Sequence, residues 1–227
     1  MTAAALPTRP VLADLVPAAV FRGARTRDLA LVAGAALLTA LLAQLAIPVP
    51  GSPVPITGQT LAVVLTAAAL GPLRGMAGQG LYVSLGAIGL PFYADAESGW
   101  QVVTGATGGY LLGFLPAAFL IGLAAQHRAD RTLWKALPLF VAGQAVIFAI
   151  GVPWLAVVAG LSPSAALEAG FYPFIVGGLV KALVAGAVIT GAWRATKDRR
   201  AALLAVALLA AAVAVGTAAV LGVDLPF

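Results

Sequence analysis

The chain has 227 residues, 62% of them hydrophobic and 9% charged, against roughly a quarter charged in ordinary soluble domains. That balance excludes a water-soluble domain, and the apolar residues fall in runs of bilayer-crossing length, so the expected class is an all-α polytopic membrane protein. The absence of Cys and the single histidine, His127, exclude a disulfide framework, thiolate chemistry and a His-based metal centre. The net charge of +5 comes from Lys and Arg scattered between apolar runs, which reports topology rather than a nucleic-acid patch.

Residues 1–28 carry Arg9, Arg22, Arg25 and Arg27, are broken by Pro7, Pro10 and Pro17, and lack a small-residue cleavage site before the first long apolar run. They read as a basic cytoplasmic arm. Residues 29–47 form the first predicted span, ended by the prolines of Pro48-Val49-Pro50-Gly51-Ser52-Pro53-Val54-Pro55, which remove backbone donors and fix extended or turn geometry. That segment is predicted to be a lid loop. Residues 58–70 and 75–90 are shorter than a full crossing; they span with help from their flanks or dip in as a hairpin, and spanning is favoured because Arg74 would otherwise sit at an intramembrane tip.

Residues 90–106 hold Pro91, Asp95, Glu97 and Gly99 with no positive charge and read as an external loop. A fourth span covers 107–125, a basic internal loop 126–135, and a fifth span 137–159, with a kink expected at Pro153. Residues 161–172 read as a short loop carrying Glu168. Pro173 opens a sixth span to Trp193, where its missing donor costs little, and Arg194, Lys197, Arg199 and Arg200 flank it. A seventh apolar run covers 201–223. Expected domains are therefore the arm, a six-span core at 29–195, and a basic loop with an extra C-terminal span at 196–227.

Cytoplasmic loops retain Lys and Arg whereas translocated ones do not. With the N-terminus inside, the internal segments hold four in the arm, Arg74 alone in the second-to-third turn, three in the fourth-to-fifth loop and four after span six, and the outer loops hold none. The pattern predicts seven spans, N-terminus in and C-terminus out, in the cell membrane. The thirteenth basic residue, Lys181, lies within span six.

Lys181 is the most informative residue. Eight positions after Pro173, it lies about 12 Å below the outer end of its helix, where a charge costs about 2.5–3.5 kcal/mol and usually faces a bundle interior or cavity. It either snorkels along its aliphatic stem or donates to a ligand carboxylate or carbonyl. No Asp or Glu lies in a predicted span, which favours an anionic ligand and argues against a proton-coupled carrier. Gly105-Ala106-Thr107-Gly108-Gly109-Tyr110 opens span four, where a helix start offers unpaired N–H groups and glycines permit close approach, either to a ligand or to another helix. Thr57, Gln59 and Thr60 above span two and Tyr82 in span three are the other polar groups near this level, as ligand contacts or interhelical glue. Phe92, Tyr93 and Trp100 form an aromatic belt or pack on a ring-bearing ligand. Ala36 and Ala40 leave a smooth stripe for a neighbouring helix, in this chain or in a partner. No Ser-His-Asp set, paired carboxylates or Walker lysine loop is present, so no catalysis, cofactor or ATP hydrolysis is expected of the chain itself.

Several strings together resemble one family: Pro53-Val54-Pro55-Ile56-Thr57-Gly58-Gln59-Thr60, Leu70-Gly71 with Gly75, Tyr82, Gly86-Ala87-Ile88-Gly89-Leu90-Pro91-Phe92, and Thr107-Gly108-Gly109-Tyr110-Leu111-Leu112-Gly113-Phe114. In order and spacing, from residue 29 to 193, they resemble the biotin-specific substrate-binding subunit, or S component, of energy-coupling factor (ECF) transporters, the BioY family. The resemblance implies a six-helix S-component core to which the seventh run is added. It also implies capture of biotin at the outer side, release inside, and partnership with a transmembrane coupling subunit and paired ATPases. By similarity Lys181 matches the ligand-contacting lysine of the family's final helix. Three features depart from the family: Ala106 replaces a frequent Pro, Gly178 replaces a frequent Asp three positions before the lysine, and the arm and seventh run lie outside the resemblance.

The ligand and the residues fit chemically, since biotin offers an apolar ring, a hydrogen-bonding ureido group and a valerate anion. Lys181 is expected to pair with the valerate, or alternatively to donate to the ureido carbonyl. Gln59, Tyr82 and Thr107 to Tyr110, with Phe92 and Trp100, are expected to line the pocket, and Ala36 and Ala40 to dock the coupling subunit. An S component for another vitamin is the nearest alternative; an integral membrane enzyme or a structural subunit would be a different class.

Overall fold

A computed structural model describes residues 10–21 and 23–196, and these are helical almost throughout. The predicted seventh run at 201–223 lies outside the described residues. Among the described residues eight α-helices follow in order: α1 (Ala24–Ala43), α2 (Gln59–Leu70), α3 (Pro72–Ala87), α4 (Trp100–Thr104), α5 (Gly108–Gln126), α6 (Leu133–Val158), α7 (Pro163–Gly170) and α8 (Phe174–Ala195). Helices α1, α5, α6 and α8 are long and apolar enough to cross a bilayer, and α2 is a shorter apolar helix. Helix α5 is the centre of the bundle, packing on α2, α3 and α6, while α1 packs on α2 and α3, and α8 on α2 and α6.

Hydrophobic burial gives little drive for association between helices in lipid, so close packing of small residues takes its place. At Gly78 of α3 an added Cβ would stand 2.6 Å from the Cβ of Ala35 on α1, and at Gly113 of α5 it would lie 3.0 Å from the Ile147 backbone of α6. A fully buried amide supplements this packing: Gln79 Nε2 donates to Thr39 Oγ1 at 3.2 Å and to Thr66 Oγ1 at 3.1 Å, linking α3 to α1 and α2.

The two ends of the bundle differ. At the end where α1 begins, residues 10–21 fold as two 3-10 turns, Leu12–Leu15 and Ala18–Phe21, with Val11 and Ala13 buried. The basic arm is thus partly docked under the bundle, and α1 starts at Ala24 rather than at 29, carrying Arg25 and Arg27 in its first turn. Arg74, next to the α2–α3 turn at Gly71 (φ +83°), forms ion pairs with Asp14 of that docked segment and, at 3.2 Å, with Asp28. Nearby, fully buried Asp130 accepts from Trp193 Nε1 at 2.7 Å and ion-pairs with Arg131, whose guanidinium covers the Trp193 ring and donates to the Pro10 carbonyl at 2.7 Å. Burial raises the Asp130 carboxyl above its ordinary value, against the lowering effect of Trp193 and Arg131.

At the opposite end the segment between α1 and α2 is closed by a short antiparallel ladder, β1 (Ala46–Ile47) with β2 (Ile56–Thr57), pairing Ala46 with Thr57 and Ile47 with Ile56. The proline-rich lid is therefore a strapped hairpin loop. The expected loop at 161–172 is instead largely α7, started by Ser162, whose Oγ accepts from the Ala165 N–H at 3.3 Å, and by Pro163 in its first turn. The expected loop at 90–106 contains α4 and a 3-10 turn at Ala94–Ala96. Helix α6 continues through Pro153.

Candidate functional site

A cavity of about 280 Å³ opens among the strapped loop, the 93–97 segment and helices α2, α5, α6 and α8. This lies near the lower end of the roughly 300–1,000 Å³ typical of small-molecule sites. The β1–β2 strap sets the roof by holding Pro48 to Pro55 across the mouth, and it also delivers Thr57, Gln59 and Thr60 to the wall at the start of α2. Opposite, Phe148 of α6 and Phe174 of α8 stand with Tyr110 of α5 as an aromatic wall, with Phe148 edge-on to Tyr110 at 6.1 Å between centroids. Phe114 and Ile147 complete the apolar lining.

Among the described residues, the one cation on this wall is Lys181. It is half-buried, and its Nζ donates to Thr60 Oγ1 at 3.1 Å, a contact between α8 and α2. Among the described residues it forms no ion pair, although Asp95 and Glu97 stand on the exposed rim of the same cavity. The rim is shaped by backbone: Asp95 and Ala96 both adopt left-handed conformations, φ 55° and 58°, which cost energy unless the surroundings hold them. Gln44 at the end of α1 does so, accepting from the Ala96 N–H at 3.0 Å and donating to the Tyr93 carbonyl at 3.0 Å. Tyr93 adds a second tether by donating its hydroxyl to the Val83 carbonyl at 2.6 Å, and burial pushes its phenol up to about 12, so it stays a donor.

The structure distributes the sequence candidates unevenly. Lys181, Gln59, Thr107 and Tyr110 line the cavity. The Gln59 amide is nevertheless engaged at both ends, accepting from Thr57 Oγ1 at 2.7 Å and donating to the Tyr82 hydroxyl. Tyr82 itself is fully buried behind Gln59 and does not reach the cavity wall. The Tyr110 hydroxyl donates to the Gly170 carbonyl of α7 at 2.8 Å, leaving its ring as the cavity surface.

Gly108 and Gly109 are also away from the wall. A side chain on Gly108 would run into the Val103 carbonyl and one on Gly109 into Trp154, so Gly108 serves the packing of α5 on α4 and Gly109 that of α5 on α6. Trp154 fixes that approach by donating Nε1 to the Gly105 carbonyl at 2.9 Å. Phe92 is buried in the core, and Trp100 is 65% exposed and off the cavity wall. Ala36 and Ala40 are fully buried inside the chain, where α1 meets its neighbours. Their stripe is covered within the subunit rather than offered to a partner. Sequence reasoning missed Phe148, Phe174 and Gln144, all on the wall; Gln144 was visible as a lone amide in a predicted span, the same signal that marked Gln59.

Comparison with known proteins gives a consistent result. The BioY family profile matches residues 14–198. Similar relatives include the biotin transporter BioY of Thermotoga maritima, 40% identical over 155 residues that cover 68% of this chain and 90% of that protein. The biotin transporter BioY of Rhodobacter capsulatus is 40% identical over 164 residues, covering 68% and 86%, and biotin transporter BioY2 of Lactococcus lactis is 36% identical over 160 residues, covering 69% and 85%. The fold matches a crystal structure of the S-component for biotin from an ECF-type ABC transporter, with a TM-score of 0.68 at 24% identity over 73% of this chain and 90% of that one. The helices long enough to cross a membrane, the S-component fold and the extent of the match together make this chain a multi-pass membrane protein that belongs to the BioY family.

Proposed function

We propose that this chain is the biotin-binding S component of an ECF-type uptake transporter, capturing biotin in the cavity beneath the strapped loop. Family membership supports the substrate, and one observation supports the site: a half-buried lysine that forms no ion pair among the described residues stands in a cavity where Phe114, Ile147, Phe148 and Phe174 form an apolar face beside the polar Thr60, Gln59 and Gln144. A cation so placed is matched by a ligand anion, and the ionised valerate of biotin supplies one while its bicyclic ring packs on Phe148, Phe174 and Tyr110. The chain has no residue set for ATP hydrolysis, so transport relies on a coupling subunit and ATPases supplied by other chains. The basic inner end and the acidic cavity rim support placement of the N-terminus and Arg74 in the cytoplasm and of the cavity outside.

The test is equilibrium binding of labelled biotin to the purified chain, with unlabelled biotin, thiamine and riboflavin as competitors. Saturable binding displaced by biotin alone is expected. Displacement by another vitamin at equal concentration overturns the substrate, and biotinamide binding as tightly as biotin overturns the pairing of Lys181 with the carboxylate.

A further inference from the structure

One polar group on the cavity wall is not accounted for by packing. Gln144 of α6 is 4% exposed and lines the cavity. Its Nε2 donates to the Gly178 carbonyl of α8 at 2.9 Å. That carbonyl can only accept, so the amide is oriented without ambiguity, NH2 towards α8 and Oε1 away from the carbonyl. Among the described residues Oε1 receives no hydrogen bond. Three other glutamines, Gln44, Gln59 and Gln79, are by contrast hydrogen-bonded at both the oxygen and the nitrogen of the amide. An amide clamped through its nitrogen, with its oxygen open to a cavity, is placed to accept from a donor bound there.

The second half of the arrangement is Gly178, which also lines the cavity. A Cβ at this position would stand 2.7 Å from Gln144 Oε1 and 3.6 Å from its Cδ. The missing side chain is therefore what lets the amide lie against α8 with its oxygen at that place. Glycine and glutamine, on different helices, form a matched pair.

We infer that Gln144 reads the ligand, its Oε1 accepting an N–H of the biotin ureido ring, with Gly178 as the positioning residue that makes room for it. This rests on the biotin reading above. The assignment follows from donor chemistry. Of the groups on biotin, the ionised valerate and the thioether have no hydrogen to give, and only the two ureido nitrogens are donors. A fixed acceptor on the wall thus also disfavours entry of the ligand with its carboxylate against α6, and sets which end of the molecule lies there.

The experiment measures binding of biotin, desthiobiotin and biotin methylated at either ureido nitrogen to the purified full chain and to Gln144→Leu, Gly178→Ala and the double variant. Leucine reaches only as far as the amide carbon, so it keeps the packing and removes the acceptor. Gly178→Ala moves only the far end of a flexible side chain, and melting midpoints without ligand report that each variant is folded. Each single variant is expected to weaken biotin about tenfold. In the Gln144→Leu background, Gly178→Ala should add less than about twofold, because it acts through the amide. Methylation at one ureido nitrogen should be penalised at least about tenfold more in the wild type than in Gln144→Leu, while the desthiobiotin penalty stays the same. Wild-type binding of biotin with an unchanged methylation penalty in folded Gln144→Leu overturns the inference alone, as does an additive double variant. Wild-type chain that binds no biotin overturns the substrate reading and this inference with it.

Discussion

The two ends of this bundle use the same kinds of side chain to opposite effect. At the end where α1 begins, charges meet charges: Arg74 is held by Asp14 and Asp28, Arg131 by Asp130, and the docked residues 10–21 contribute Asp14 and the Pro10 carbonyl to these contacts. At the cavity end the basic group, Lys181, meets only a threonine hydroxyl among the described residues, while Asp95 and Glu97 stay on the rim. At one end the basic groups that face the bundle are ion-paired within the chain; at the other a cation and an amide oxygen are left open. A bundle held at one end and unfinished at the other is suited to receive its missing partner as a ligand.

This contrast can be broken from either side. The largest effect is expected for Lys181→Met, which should weaken biotin about 100-fold or more, as expected on losing one partner of a buried charge pair, while leaving the melting midpoint of the unliganded chain unchanged or higher. Next, Asp130→Ala removes the acceptor for Trp193 and the counter-ion of Arg131 and should cost about 2 kcal/mol, lowering the midpoint by several degrees with biotin affinity retained. Were it to abolish binding in folded protein, the ends would not be separable.

The pH dependence sharpens that second prediction. Burial holds the folded Asp130 pKa above its ordinary 3.8, so between those two values the folded state binds more protons than the unfolded one, and stability falls as pH rises. The stability advantage of wild type over Asp130→Ala should therefore be widest below the ordinary 3.8 and narrow as pH rises from there through the folded value. Thermal melts at a series of pH values would show it; a gap that widens with pH would contradict the assignment. A smaller effect is expected for Tyr82→Phe, which frees one end of the Gln59 amide: binding should weaken about threefold to tenfold, in line with one neutral hydrogen bond. The smallest belongs to Trp100→Ala. With the ring exposed and off the wall, affinity should stay within about twofold and stability within about 0.5 kcal/mol.

Hydropathy and charge placement carried the long helices and the basic end, because both depend on depth along the chain axis. They did not carry azimuth, the direction in which each side chain leaves its helix. Lys181, Gln59, Thr107 and Tyr110 were found at the cavity because they are polar or aromatic at the right depth. Phe92, Trp100, Gly108 and Gly109 share that depth and point or pack elsewhere, and Ala36 and Ala40 face inward rather than towards a partner. Phe148 and Phe174 were hidden among other apolar residues of their spans, and only the packing of α6 and α8 distinguishes them. Helix α7 was hidden for another reason: its eight residues are too few and too mixed for a periodicity to stand out, although Ser162-Pro163 is a legible helix start.

The strapped loop over the cavity has a consequence for the thermodynamics of capture. Four of its eight residues from 48 to 55 are proline, and the β1–β2 ladder holds both of its ends. A loop of glycine and serine would lose much of its conformational freedom on closing over a ligand, and that loss would subtract from affinity. Here most of the freedom is already gone before any ligand arrives, removed by ring closure in the side chains and by the ladder. The entropy of gate ordering is thus charged to folding rather than to binding.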